Sequence, residues 1–303
     1  MADAFAVEAV DLRKSYGPTE AVRGLNLQVP AGSIYGFLGR NGAGKTTTIK
    51  MLLGMARPTS GTVRVLGLAA DVPQSSVEIR RRTGFAGEDK DLYDYMSVDE
   101  MVRFTASFFP RWRRDLEERY LRTFDLPSSR RVKALSRGMR TKLALLLALC
   151  RGAELLVLDE PTSGLDPAVT EEVLQALVTH VASAEMTVFF SSHQIAEVDQ
   201  IADRVAIIDR GRTVVAGALD DLRERYRRVQ LVFDGQAPEA TFRSPGVERV
   251  QRSGRVLSMV TTAGTERVLE EARALNPVSV DLLPITLKEI FLESIGTEEA
   301  TES

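Results

Sequence analysis

The sequence predicts an α/β fold: an open, mostly parallel sheet with helices on both faces, joined to an antiparallel N-terminal β subdomain, a helical insert and a small C-terminal α/β unit. Three observations carry this. Apolar strands alternate with helical runs from Leu155 to Ile208, the βαβα pattern of a parallel sheet. A glycine-rich loop joins an apolar strand to a helix after Leu38. Between Ser97 and Leu149 the texture is helical throughout.

The elements follow in order. Ala6 to Tyr16 and Gly24 to Val29 are short β-like runs, and Pro30-Ala31-Gly32 turns the chain into the apolar strand Ile34 to Leu38. The glycine loop leads into a helical run from Lys45 to about Met55. Ser97-Val98-Asp99-Glu100 has the residues of a capping box, in which Ser97 accepts from the backbone three residues on and Glu100 reaches back. Leu155 to Leu158 is wholly apolar, as strands buried on both faces are. Then come a helix (Ala168 to Ala182), a strand (Thr187 to Ser191), a helix (Gln194 to Ala202) and a strand (Arg204 to Ile208).

The charged stretch Asp220 to Arg228 reads as a linker helix whose arginines pair with Asp220, Asp221 and Glu224. Beyond it Val229 to Phe233 and Arg255 to Thr261 read as strands, Glu266 to Leu275 as a helix, and Ile285 to Ile295 as a final segment. These readings divide the chain into residues 1–222, with the helical insert at about 90–150, and an accessory domain at 223–303. The acidic tail Gly296 to Ser303 is expected to be disordered.

Composition narrows the function. There are 39 Lys and Arg against 42 Asp and Glu, a net charge of −3, which argues against a protein that coats nucleic acid. The single cysteine, Cys150, excludes an internal disulfide and a cysteine-rich zinc site. The longest apolar run, Leu143 to Cys150, is far below the ~20 residues of a membrane helix. The N-terminal residues lack the pattern of a signal peptide. The expectation is a soluble, intracellular protein.

Gly39-Arg40-Asn41-Gly42-Ala43-Gly44-Lys45-Thr46 fits the P-loop, G-x-x-x-x-G-K-[ST], and Thr47 follows it. Its glycines let successive backbone N–H groups turn toward phosphate oxygens, and the following helix adds its unpaired donors. Lys45 would bridge the β- and γ-phosphates and the Thr46 hydroxyl would hold Mg²⁺. Asp159 and Glu160 stand at the C-terminal end of the buried strand, the edge at which α/β sheets bind ligands. There Asp159 would hold the Mg²⁺ and Glu160 would polarise the attacking water. Together the two motifs imply a P-loop nucleoside triphosphatase.

Leu135-Ser136-Arg137-Gly138-Met139, Ser163-Gly164-Leu165-Asp166 and Ser191-Ser192-His193 surround that acid pair in a fixed order. In this the chain resembles the ATP-binding subunits of ABC transporters, over roughly Ala6 to Gly217. The resemblance implies a pair of subunits, two copies of this chain or this chain with a homologue, sandwiching two Mg·ATP. Ser136 and Gly138 at a helix start would close on the nucleotide of the other subunit. Tyr16 matches the aromatic that stacks on adenine, Asp166 the aspartate at the dimer seam, and His193 the histidine at the γ-phosphate. The lesser alternative for Tyr16 is a tyrosine at a strand end, and for His193 a histidine at a helix start capped by Ser191 or Ser192, which its position one strand after the acid pair disfavours.

Three positions depart from the family's pattern. Glu88 stands where glutamine is usual, and as a hard oxygen donor it can still ligate Mg²⁺. Arg137 replaces a glycine and Met139 a glutamine in the usual LSGGQ; Arg137 reaches either a phosphate, a neighbouring acid, or only solvent. The stretch Glu88 to Tyr93, the LSRGM form and Ile285 to Leu292 are similar to ATPases that serve ABC-2 type exporters. That implies a separate transmembrane permease, a peripheral place at the inner face of the cell membrane, and no nucleic-acid partner. The competing reading is a non-transport ABC ATPase acting on nucleic acid or ribosomes. The aromatic-basic cluster Phe108 to Arg114 serves either to dock a permease helix, to bind a single strand, or only as a solvated face over core residues.

Overall fold

The computed structural model describes residues 5–88, 92–184 and 186–296. Asp89, Lys90, Asp91 and the acidic tail from Thr297 lie outside the described residues, so the expectations placed on them do too. The chain divides into two compact units, Met1–Ala216 and Gly217–Ser303.

The first unit holds two sheets. Strands β1 (Phe5–Tyr16) and β2 (Thr19–Pro30) form a long antiparallel hairpin. Next come β3 (Ile34–Gly39), α1 (Lys45–Leu52), β4 (Ser60–Val65), β5 (Leu68–Ala69), α2 (Pro73–Arg82) and β6 (Thr83–Ala86). The antiparallel sheet has the order β2-β1-β4-β5. β1 buries alternate residues over part of its length, and Ala6, Val7, Ala9 and Leu12 join Val22, Leu25, Leu27 and Val29 of β2 in the core. Each such aliphatic side chain contributes about 1.5–3 kcal/mol by leaving water. The sequence reading missed β4, β5 and α2, because Gly61, Gly67 and Pro73 break their short hydrophobic runs.

The helical insert comprises α3 (Val98–Ala106), α4 (Arg114–Thr123) and α5 (Arg137–Leu149). The capping box at Ser97 forms as the spacing predicts: Glu100 N donates to Ser97 Oγ at 3.2 Å, and Ser97 N donates to Glu100 Oε2 at 2.7 Å. Beyond the insert follow β7 (Leu155–Asp159), α6 (Pro167–Ala184), β8 (Thr187–Ser192), α7 (Ile195–Ile201), β9 (Arg204–Asp209) and β10 (Arg212–Ala218). The central sheet has the order β10-β9-β3-β8-β7-β6, with parallel pairing along β9-β3-β8-β7-β6. Its inner strands β3, β7 and β8 are buried at every residue, which is why they read as continuous apolar runs. The register sets Asp159 beside Ser191 and Leu38 beside Ser192, so the ends of these three strands meet on one edge.

The second unit contains α8 (Leu219–Arg225), β11 (Arg227–Val232), β12 (Val247–Ser253), β13 (Val256–Thr261), α9 (Thr265–Ala274), β14 (Ser279–Pro284) and α10 (Leu287–Gly296). The sheet is antiparallel, in the order β12-β13-β11-β14, with α9 against β11 and β14. Val229, Leu231, Leu257, Met259, Val268 and Ala272 form its core. The expected linker helix is shorter than the charged stretch. Arg223 pairs with Asp220 at 3.2 Å, but Arg227 and Arg228 belong to β11, where Arg228 forms an ion pair with Glu289 on α10. Val229 and Leu231 alternate inward and draw the preceding arginines into the strand.

Candidate active site

β3 delivers Gly39 to the sheet edge, and the P-loop wraps from there to the start of α1. Gly42 and Gly44 sit at φ +82° and +102°, in the region that glycine enters without strain. Gly44 is needed for space as well, since a Cβ there would lie 2.6 Å from Ala21 O. The loop is held from outside by Gly211, at the tip of the β9–β10 hairpin, whose N–H donates to Ala43 O at 3.0 Å. Lys45 is buried, and its Nζ donates to Gly39 O at 2.8 Å and Arg40 O at 3.3 Å.

Glu160 follows β7 in a left-handed conformation, φ +50°. For a residue with a Cβ this costs about 1–2 kcal/mol, and it turns the chain sharply at the strand end. The carboxylate faces two cationic or protonated partners. Oε1 lies 2.9 Å from Lys45 Nζ, and Oε2 lies 2.7 Å from His193 Nδ1. A carboxylate only accepts, so Nδ1 carries the proton in this pair. Lys45 and Glu160 are both under a tenth exposed, so their attraction is weakly screened.

Ser191 supports both acids. Its Oγ donates to Asp159 Oδ1 at 2.6 Å and accepts from Glu160 N at 3.0 Å. Neither Ser191 nor Ser192 caps α7, whose first turn has no side-chain cap; Ser192 Oγ accepts from Gln194 N at 2.9 Å and donates to Glu197 Oε2 at 2.8 Å. His193 is therefore the first residue past β8, carried to the sheet edge by the strand.

These groups enclose a cavity of about 520 Å³, lined by Ala21, the P-loop, Thr46, Thr47, Glu88, Glu160, Ser163 and His193. Arg40, Asn41, Gly42, Gly44 and Lys45 line it directly. Gly39 and Ala43 shape the loop from behind. Asp159 sits beneath Glu160, 2 % exposed. Thr46 and Glu88 add hydroxyl and carboxylate oxygens on the rim, the hard donor set that suits Mg²⁺.

The other expected site residues stand apart from this cavity. Tyr16 ends β1, half exposed, with Lys14 Nζ 4.9 Å from its ring centroid. Ser136 is exposed and caps α5, its Oγ accepting from Met139 N at 3.2 Å. Gly138 lies in the first turn of α5, where a Cβ would touch the Val169 methyls at 3.4 Å. Asp166 caps α6, Oδ1 accepting from Val169 N at 3.1 Å. Sequence reasoning gave no part in the cavity to Ser191, Ser163, Ala21 or Gly211. Ser191 had a signal, as the last buried position of a strand whose parallel neighbour ends in the acid pair. Ala21 and Gly211 had none, being brought to the loop from distant segments.

A P-loop after the inner strand β3, facing a buried carboxylate pair at the end of β7, two strands away in the same sheet, defines a P-loop nucleoside triphosphatase. An ABC transporter family model matches residues 22–163, and a model of an AAA domain also matches, over residues 129–199. The chain belongs to the family of ABC transporter ATP-binding proteins and is an ATPase. It is 37 % identical to the bacitracin transport ATP-binding protein of Bacillus licheniformis, over 73 % of this chain and 72 % of that one. It is 34 % identical to the daunorubicin resistance ATP-binding protein DrrA3 of Streptomyces coeruleorubidus, over 98 % of both. The Nod factor export ATP-binding protein I of Ralstonia nicotianae is 31 % identical, over 95 % and 92 %. Among solved structures, an ATP-binding subunit of an ABC transporter matches with a TM-score of 0.65 and 29 % identity, over 72 % of this chain and 92 % of that one. The ADP- and phosphate-bound dimer of the cassette MJ0796 matches in fold, with a TM-score of 0.64 and 21 % identity, over 70 % and 98 %.

Proposed function

We propose that the chain is the ATP-hydrolysing subunit of an exporter, acting as a pair of subunits on a separate transmembrane permease. The observation that carries this is Glu160, held between Lys45 and His193 on the wall of the P-loop cavity. Phosphate oxygens entering the loop meet its inward N–H groups and compete with Glu160 for the Lys45 ammonium. Glu160 is thereby released toward water while His193 Nδ1 keeps its other oxygen oriented. In this position it takes the proton of the attacking water as general base. His193 Nε2 faces the γ-phosphate. Thr46, Asp159 and Glu88 would hold Mg²⁺, which supplies charge neutralisation on the β- and γ-oxygens. Tyr16 would stack on the adenine.

The exposed start of α5 is proposed to cover the nucleotide of the second subunit through Ser136 and Gly138, with Asp166 at the seam. ATP then favours the closed pair more than ADP does, and that difference drives the permease. A ladder of exposed aromatics at the entry to the helical insert, Tyr93, Phe104 and Phe108 with ring centroids 5.5 and 5.1 Å apart, is the surface offered to a permease helix. The neighbouring basic residues support a protein partner over a nucleic acid. Arg113 is bidentate to Asp115, and Arg114 and the Trp112 indole both bond Glu117, so their charge is spent internally.

Glu160→Gln tests the catalytic assignment. Expected is retention of ATP with kcat reduced by about 10² or more and accumulation of ATP-bound pairs. Normal hydrolysis by this variant would remove Glu160 from the mechanism.

A further inference from the structure

Arg137 occupies a position where the family's usual signature has glycine, and among the described residues it lines no part of the P-loop cavity and pairs with no acid. Its Nη2 donates to Ser163 O at 3.0 Å, across 26 residues of sequence. The guanidinium lies on the Cα of Gly164, so closely that any Cβ at 164 would overlap it. Gly164 itself is at φ +68°. The glycine of the Ser163-Gly164-Leu165-Asp166 turn thus leaves room for the arginine as well as for its own backbone.

The turn is the continuation of the catalytic strand. Ser163 N donates to Glu160 O at 3.2 Å, and Ser163 lines the cavity beside Glu160 and His193. Behind it α5 and α6 are fastened twice more, by the close approach of Gly138 to Val169 and by an ion pair between Lys142 and Glu172. Of these three links, the one from Arg137 reaches past α6 to the residues that orient Glu160.

We propose that Arg137 is a positioning residue for ATP hydrolysis: within one chain it straps the exposed start of α5 to the turn that follows Glu160, so that the two hold a fixed relation. The proposal rests on Glu160 being the general base. A planar fork that donates to a carbonyl while covering a Cα does what lysine, a single ammonium on a flexible stem, does only in part. The bond is exposed, so its contribution is that of one charge-assisted hydrogen bond in water, a few-fold in rate.

The test is steady-state ATPase kinetics on the full chain. Arg137→Gly is expected to lower kcat by about three- to tenfold and leave KM for ATP within twofold, with Arg137→Lys between it and the wild type. Thermal melts identify any variant that misfolds, and whichever of Arg137→Gly and Arg137→Lys is folded then decides. A rise in KM at constant kcat would put the guanidinium on nucleotide and overturn the strap. Wild-type kcat in Arg137→Gly would overturn it too. Glu160→Gln run in parallel separates the two claims: if it hydrolyses normally the general-base reading fails, and if it is inactive while Arg137→Gly is normal only the strap fails.

Discussion

Glu160 meets three demands in one carboxylate. It turns the chain at a strand end, neutralises a buried lysine, and is proposed to serve as the base. Its left-handed backbone is kept by Ser191, which accepts its N–H and donates to Asp159 with the same hydroxyl. Ser191→Ala strands a buried N–H and a buried carboxylate oxygen together. The expected loss is about 1–3 kcal/mol of unfolding free energy, read from the urea midpoint, and it should come with weaker Mg²⁺ dependence of ATPase activity. An unchanged midpoint would mean that water replaces the hydroxyl. Lys45, Asp159, Glu160 and His193, the residues proposed to carry the chemistry, are readable because motif spacing sets them at loop and strand ends. The support that Ser191 gives the acid pair is not readable from the residue itself, because a hydroxyl before a helix looks the same in sequence whether it faces the next amide or the next strand.

Between elements, parallel pairing brings three strand ends to one edge, and the sequence shows those strands as unbroken apolar runs. The antiparallel β4 and β5 are half exposed and punctuated by glycine, so no period marks them. Contacts between distant elements were equally silent. The start of β7 is tied to α2 by Arg82, whose Nε donates to Glu154 Oε1 at 2.8 Å. That hydrogen bond holds the Glu154 carboxyl below its ordinary value of 4.5, with burial opposing and the Arg82 and Arg111 charges assisting. A lowered folded value stabilises above the unfolded one and is lost as pH falls through it. Glu154→Gln should therefore cost under about 1 kcal/mol at neutral pH, the pair being partly exposed. The difference from wild type should close as pH drops below 4.5. A gap that stays constant down to acid would assign the loss to packing instead.

At the scale of the whole molecule, every residue lining the nucleotide cavity belongs to the first unit, and the second has its own core around Val229, Leu231 and Leu257. A chain ending at residue 216 is expected to bind ATP with a Kd within about threefold of the full chain, measured by calorimetry; loss of binding would give the second unit a part in the site. The sequence places a boundary at 222/223, within the charged stretch, whereas the compact units part at 216/217. What lay beyond sequence is where Ser136 faces, because within one chain it only caps its own helix. The proposed mechanism requires that this helix start covers ATP held by a second subunit. Sedimentation velocity of Glu160→Gln with Mg·ATP, with and without Ser136→Arg, measures this. Expected is a pair holding one ATP per chain that Ser136→Arg returns to ATP-bound monomers. An ATP-loaded monomer in both cases, or a pair indifferent to Ser136, would contradict it.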